Sequence, residues 1–301
     1  MTKNFFKTFN MFIPITNQCN QHCNFCEAYL DKFRNLSLDD FKSVLQNKIE
    51  EFKPKNISVN LGGGEPLLNE DLLPIIKYCS EQRESNAEIK KITVFTNGKR
   101  LGDDDFFRKF TDFLIDNRIK IEFVISTTIF SPETQRGVRN LLESKYFPRK
   151  IYIKAVVSKN FIEGIDQWYE NLLPILRANR HKQVIIRFRF INLKYKARIN
   201  EDLFLTRYDE IMPSLEKHVS FLLQQNMMVQ TEFFPWCVWN DKDLYYRHQY
   251  TPKIIYDLEE QNGVFTEKCR QCVKKEECNG FTRWTLPDED KLIFSALEHP
   301  V

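Results

Sequence analysis

Apolar positions along the chain switch repeatedly between a period of two and a helical period. Phe9 to Thr16 reads as a strand. Ser37 then stands as an N-cap, with Asp39 and Asp40 in the first turn and Phe41, Val44, Leu45 and Ile49 at helical spacing. Strand-like runs follow at 56–61, 91–96, 120–126, 150–157 and 183–191. Helix-like stretches follow them at about 70–83, 103–117, 132–144, 165–178 and 208–225. Six strand-then-helix units in series predict a parallel α/β sheet with helices outside, doubly wound or a partial barrel. We favour a partial (β/α)6 barrel over 1–226, with a small separate domain at 227–301.

In a barrel one phase of each strand packs on helices and the other faces the lumen. The apolar phases Ile57/Val59/Leu61, Ile121/Phe123/Ile125, Ile151/Ile153/Ala155/Val157 and Val184/Ile186/Phe188/Phe190 should therefore face outward. Ser58, Asn60, Glu122, Ser126, Tyr152, Lys154, Ser158, Arg187 and Arg189 are left to face inward. A polar, charged lumen predicts a bound ligand, because unpaired buried charge is costly.

Composition narrows the classes. With 301 residues and 42% hydrophobic content the chain can bury one large core, or a large domain plus an appendage. A net charge of +3 gives no bulk signal for a nucleic-acid partner. No apolar run approaches a membrane span, and Met1 to Asn10 lacks a signal-peptide pattern, so a cytoplasmic location without a membrane partner is expected. Between Asn171 and Asn200 lie eight Lys or Arg residues and no Asp or Glu; Arg177 to Lys182 and Lys194 to Arg198 read as solvated surface, while the strand phase sets Arg187 and Arg189 apart. Guanidinium groups in a lumen suit carboxylate or phosphate, or a salt bridge to a lumen acid such as Glu122.

The cysteines supply the candidate chemistry. Cys19, Cys23 and Cys26 form C-x3-C-x2-C, and three thiolates can hold three irons of a cubic cluster while leaving the fourth open. Cys269, Cys272 and Cys278 form C-x2-C-x5-C and, with Cys237, make four thiolates, enough for a zinc site or a four-iron cluster. Cys79 lies in an apolar helical stripe and reads as a core residue. Two turns stand at strand ends, Gly62-Gly63-Gly64-Glu65-Pro66 and Thr96-Asn97-Gly98, on the face where parallel α/β folds place their sites.

The cysteine loop and the Gly-Gly-Glu-Pro turn, in this order and in successive strand–helix units, resemble the radical SAM superfamily. That resemblance implies a [4Fe-4S] cluster on Cys19, Cys23 and Cys26 and reductive cleavage of S-adenosylmethionine to a 5′-deoxyadenosyl radical that abstracts hydrogen from substrate. It implies cofactor contacts at Phe25, Gly62, Gly63, Gly64, Glu65, Thr96, Asn97 and Ser126, with Arg187 or Arg189 for the cofactor's carboxylate. Ser126-Thr127-Thr128-Ile129 departs from the Ser-Leu-Asp-Gly common among relatives. The C-terminal cysteines resemble twitch and SPASM extensions, with Thr282 where a SPASM cysteine would stand, which implies one auxiliary cluster, [4Fe-4S] in type.

The resemblance further implies a reductant such as flavodoxin or ferredoxin, and a net oxidation or cross-link in a ribosomally made peptide. The alternative is dehydrogenation or rearrangement of a small molecule, with molybdenum cofactor synthesis set last because no Gly-Gly tail is present. A non-enzymatic zinc-binding protein is the reading from another class. No catalytic acid or base is identified.

Overall fold

In the computed structural model the described residues are 8–26, 35–82, 87–147, 150–191, 208–247, 249–250, 267–273 and 278. Strands and helices alternate as β1 (Phe9–Thr16), α1 (Leu38–Phe52), β2 (Asn56–Gly63), α2 (Leu72–Glu81), β3 (Glu88–Thr96), α3 (Asp104–Asp116), β4 (Glu122–Ser126) and α4 (Pro132–Glu143). They continue as β5 (Lys150–Val157), α5 (Lys159–Glu163), α6 (Ile165–Ala178), β6 (Gln183–Phe190), α7 (Tyr208–Gln224) and β7 (Met228–Glu232). Helix α8 (Lys242–Arg247) and a two-residue strand, β8 (Gln249–Tyr250), follow. All strands pair in parallel and in chain order, so β1 and β8 are the edges of an open, partial barrel.

Local sequence explains the boundaries. Ser37 and Asp40 exchange side-chain and backbone hydrogen bonds in a capping box that starts α1. Asp103 caps α3 and Ser131 caps α4, each through its side-chain oxygen. The helix-side phases of β2 and β5 fall as expected: Ile57, Val59 and Leu61 and Ile151, Ile153, Ala155 and Val157 are fully buried in the main core, as are Met11, Ile13 and Ile15 of β1.

The inward phase is layered. The pairing register aligns Phe12, Asn60, Thr93 and Glu122 in one row, then Phe95, Val124, Tyr152, Ile185 and Met228 in the next. Above these lie Ser126, Lys154, Arg187 and Gln230, and nearest the mouth Val156, Arg189 and Glu232. The lumen is therefore not polar throughout. Val124, Tyr152 and Ile185, with Phe95 and Met228 against them, make a small apolar cluster of their own. It separates the charged mouth from a Lys91–Glu122 ion pair (2.6 Å) lower down.

Besides α8 and β8, two further elements were not anticipated. Helix α5 is one short turn after Ser158, whose hydroxyl caps it instead of facing the lumen as a bare polar group. Strand β7 lies beyond residue 226 yet pairs with β6, so the sheet runs on into the segment assigned to the second domain. Arg177 and Arg180 are exposed as expected. Lys182 is half-buried and donates to the Ser144 (2.7 Å) and Phe147 (3.3 Å) carbonyls, and burial lowers its pKa. Lys194, Lys196, Arg198 and Thr282 lie outside the described residues.

Helix α4 presses on the loop after β3 because residue 137 has no side chain. A Cβ on Gly137 would stand 2.1 Å from the Gly98 carbonyl, and Thr134 Oγ1 donates to the Asn97 carbonyl (3.0 Å) from the same helix. Gly137→Ala must push the helix off that loop, and the expected cost is about 1–3 kcal/mol. A urea midpoint unchanged from wild type would show that this contact is not tight.

Candidate active site

The cysteine loop leaves the carboxyl end of β1 and is pinned at both ends. Thr16 Oγ1 donates to Asn35 Oδ1, and the Leu36 N–H donates to the Ile15 carbonyl (2.8 Å). Asn69, buried, donates from Nδ2 to the carbonyls of Ile15 (2.8 Å) and Leu36 (3.1 Å). The glycine turn packs on the start of this loop. Gly64 N–H donates to the Thr16 carbonyl and Glu65 N–H to the Gln18 carbonyl, both at 2.7 Å. A Cβ at Gly64 would lie 2.2 Å from the Gln18 carbonyl, and Gly63 has φ +117°, open to glycine but strained for other residues. At Gly62 a Cβ would meet the Phe12 ring at 2.3 Å. The close approach these glycines permit is thus first of all to the chain itself.

Glu65 is completely buried beneath this turn. Its Oε1 accepts from Thr96 Oγ1 (2.7 Å) and Leu67 N–H (3.1 Å), and its Oε2 accepts from Asn97 N–H (2.7 Å). Burial pushes the carboxyl up to about 7, and the three donors pull it back only in part. The Glu65 side chain therefore ties the end of β2 to the end of β3.

Asn97 carries that tie to the cysteines. Its Nδ2 donates to Asn20 Oδ1 (2.8 Å) and lies 3.9 Å from Cys19 Sγ. Cys26 N–H donates to the Cys23 carbonyl (3.3 Å), and all three thiols are half-buried. Burial pushes the Cys19 thiol up, with Glu65 and Cys26 adding to the effect while the Gln21 backbone and the Asn97 amide oppose it. Thiols that disfavour each other's charge suit a positively charged metal group. Phe25 packs on the main core. Ser126 is half-buried beside Lys154 in the register, while the divergent Thr127 and Thr128 bond across to Lys154 and Val156 backbone on β5.

Sequence reasoning brought Arg187 and Arg189 to the lumen but missed their counterpart. Arg187 Nε and Nη2 donate to Gln230 Oε1 (3.2 and 2.8 Å), Nη1 pairs with Glu232 (3.2 Å), and its guanidinium lies 4.4 Å over Tyr152. Arg189 approaches the other Glu232 oxygen (4.0 Å). The lumen acid is therefore Glu232 of β7, whereas Glu122 pairs with Lys91. Burial raises the Glu232 carboxyl, but Arg187, Lys154 and Arg189 outweigh it and hold it below the usual carboxylate range. The alternation Met228-Val229-Gln230-Thr231-Glu232 was the signal that could have found it.

The C-terminal cysteines gather around Cys237. Burial pushes this thiol up to about 12, and Cys278, Cys269 and Cys272 each add to the rise, so all four share one neighbourhood. Lys242 opposes it, donating to the Trp236 and Cys237 carbonyls (3.3 and 3.2 Å) and lying 4.4 Å over the Trp236 ring. Cys272 N–H donates to the Cys269 carbonyl (3.3 Å). Among the described residues the buried Trp236 Nε1 has no acceptor, and no three His, Cys, Asp or Glu side chains sit at the spacing of a single-ion site. Cys79 is fully buried in the core.

Glu65→Gln keeps the shape but turns an amide N–H toward one of three donors. A loss of about 2–4 kcal/mol is expected from urea unfolding, since buried bonds to a charged acceptor are the costly ones to lose. Wild-type stability in the variant would remove Glu65 as the tie between strand ends.

Comparison with known proteins agrees with this geometry. An S-adenosylmethionine-dependent nucleotide dehydratase of Selenomonas ruminantium is 30% identical over 105 residues, covering 33% of this chain and 35% of that protein. A GTP 3′,8-cyclase of Aquifex aeolicus (strain VF5) is 26% identical over 230 residues, covering 69% and 64%. The chain thus spans about one to two thirds of the length of these curated relatives. A solved structure of native anSMEcpe with bound AdoMet and Kp18Cys peptide superposes with a TM-score of 0.59 at 15% identity, over 92% of this chain and 90% of that one, a likeness of fold. Among the described residues no helix is long and apolar enough to cross a membrane. Residues 13–152, which include the cysteine loop, the glycine turn and the end of β3, match the model of the Radical SAM superfamily.

Proposed function

We propose that this protein is a radical SAM enzyme that abstracts hydrogen from a substrate at the mouth of the partial barrel. The observation that carries the reading is the seating of the start of the cysteine loop, at Gln18, Cys19 and Asn20, against the glycine turn and Asn97, inside the matched region. A [4Fe-4S] cluster on those thiolates with S-adenosylmethionine on its open iron supplies reductive cleavage to a 5′-deoxyadenosyl radical, with flavodoxin or ferredoxin as the electron source.

The chain's own residues do the positioning. Gly62 to Gly64 offer backbone for the cofactor's amino group, with Glu65 holding that backbone in place from below. Thr96, Asn97 and the Phe25 backbone border the same face, and Ser126 stands at the mouth where a ribose would lie. Lys154 and Arg187, with Arg189 in the row above, offer cations for the cofactor's carboxylate. The apolar row of Phe95, Val124, Tyr152, Ile185 and Met228 closes the lumen beneath and keeps water from the reacting centre.

Cys237, Cys269, Cys272 and Cys278 are proposed to hold one auxiliary [4Fe-4S] cluster in a twitch/SPASM-like domain at 227–301. The raised Cys237 thiol, to whose rise the other three contribute, and the indole N–H of Trp236, without an acceptor among the described residues, fit a group that is cationic in its irons and accepting at its sulfides. Such a cluster supplies an electron acceptor, which makes the outcome a net oxidation or cross-link. With β7 in the barrel sheet, this second unit starts on a strand of the first.

A peptide is our first reading of the substrate, supported by the near full-length fold likeness to a structure holding a peptide. A small molecule is the second, because the curated relatives are named for nucleotides.

Replacing Cys19, Cys23 and Cys26 together with Ala is expected to leave about four irons per chain after anaerobic reconstitution, against about eight in wild type. Retention of no iron would refute the C-terminal cluster. Colourless wild-type protein loaded with zinc would refute both.

A further inference from the structure

Every polar atom of Asn97 has a partner, and the partners fix which way its amide points. The backbone N–H donates to Glu65 Oε2 (2.7 Å) and the carbonyl accepts from Thr134 Oγ1 (3.0 Å). Side-chain Oδ1 accepts from the Lys99 backbone N–H (3.0 Å). A flipped amide would set two N–H groups against each other at Lys99, so the NH2 group is the one that faces the cysteine loop. There it donates to Asn20 Oδ1 and approaches Cys19 Sγ at 3.9 Å, within reach for a donor to sulfur. An amide NH2 has two hydrogens, one for each of these acceptors.

This amide is also rigidly supported. Asn97 is buried, Thr134 reaches it from α4, and that helix is held close by Gly137. The neighbouring Thr96 hydroxyl donates to Glu65 and accepts from Gly98 N–H (2.9 Å), which sets the turn around it. A donor held this firmly makes its contact without first losing side-chain freedom.

We propose that Asn97 is a positioning residue that donates an N–H···S bond to the Cys19 thiolate and raises the reduction potential of the cluster that thiolate holds. The inference rests on the proposed assignment of Cys19 as a cluster ligand. One-electron reduction adds negative charge to a cluster and its thiolates, and a donor on sulfur stabilises that charge more in the reduced form than in the oxidised form. The electron comes from the external reductant and no bond is made or broken.

The test is a mediated redox titration of the iron–sulfur EPR signal that changes on adding S-adenosylmethionine, in wild type, Asn97→Leu, Asn97→Asp and Asn20→Ala. Asn97→Asp keeps an acceptor for Lys99 N–H while removing the donor and adding a negative charge, so a potential unchanged even in this variant counts against the inference if Asn97→Leu loads poorly. Both Asn97 variants are expected to disfavour the reduced form about tenfold, equivalent to about 59 mV for a one-electron couple. Asn20→Ala loosens the same loop but keeps the donor to sulfur, and is expected to leave the potential unchanged. Iron-loaded Asn97 variants with the wild-type potential, or an equal fall in Asn20→Ala, would overturn the inference and leave the radical SAM reading standing. Wild-type protein with no signal responsive to S-adenosylmethionine would overturn that reading itself.

Discussion

A carboxylate with no access to water lies at the carboxyl end of the sheet, and the site is arranged around meeting its needs. Glu65 draws donors from three places: the last residue of β3, the residue after it, and the first turn after the Gly-Gly-Gly segment. Burying an ionisable group there would be costly without them, and with them two strand ends become one unit. The Glu65 backbone extends that unit to Gln18, one residue before the first cysteine of the loop. Asn97 closes the circuit from the other side, at Asn20 and Cys19. The start of the cysteine loop is thus seated by the ends of two neighbouring strands.

The lumen shows the same economy of charge. Lys154, Arg187 and Arg189 come from two neighbouring strands, and Glu232 on a third answers them. The Tyr152 ring beneath Arg187 belongs to the apolar row, so the boundary between the charged mouth and the apolar layer is itself a cation–π contact. Polar groups are gathered where a ligand can enter, and an apolar layer lies behind them.

Most of the barrel was legible because strand and helix periods differ so clearly. The outward phases of β2, β5 and β6 and the capping box at Ser37 are local signals, and the structure follows them. Strand β7 was lost because its alternation runs over only five residues after a long helix, and because nearby Cys237 drew that segment into a separate domain. The anchors of the cysteine loop were illegible for another reason. Asn69 to Ile15 and Asn97 to Asn20 span 54 and 77 residues, distances at which no spacing rule operates. For the glycine turn the motif was visible but its local reason was not: Gly64 is small because the Gln18 carbonyl lies against it, and the Glu65 carboxylate is taken up by the chain's own donors.

Reductive cleavage of S-adenosylmethionine tests the central claim most directly. Anaerobically reconstituted protein, reduced with dithionite, is predicted to convert S-adenosylmethionine to 5′-deoxyadenosine and methionine, and the Cys23→Ala variant is predicted to lose that conversion. Iron-loaded wild-type protein that leaves S-adenosylmethionine intact under reduction would contradict the account.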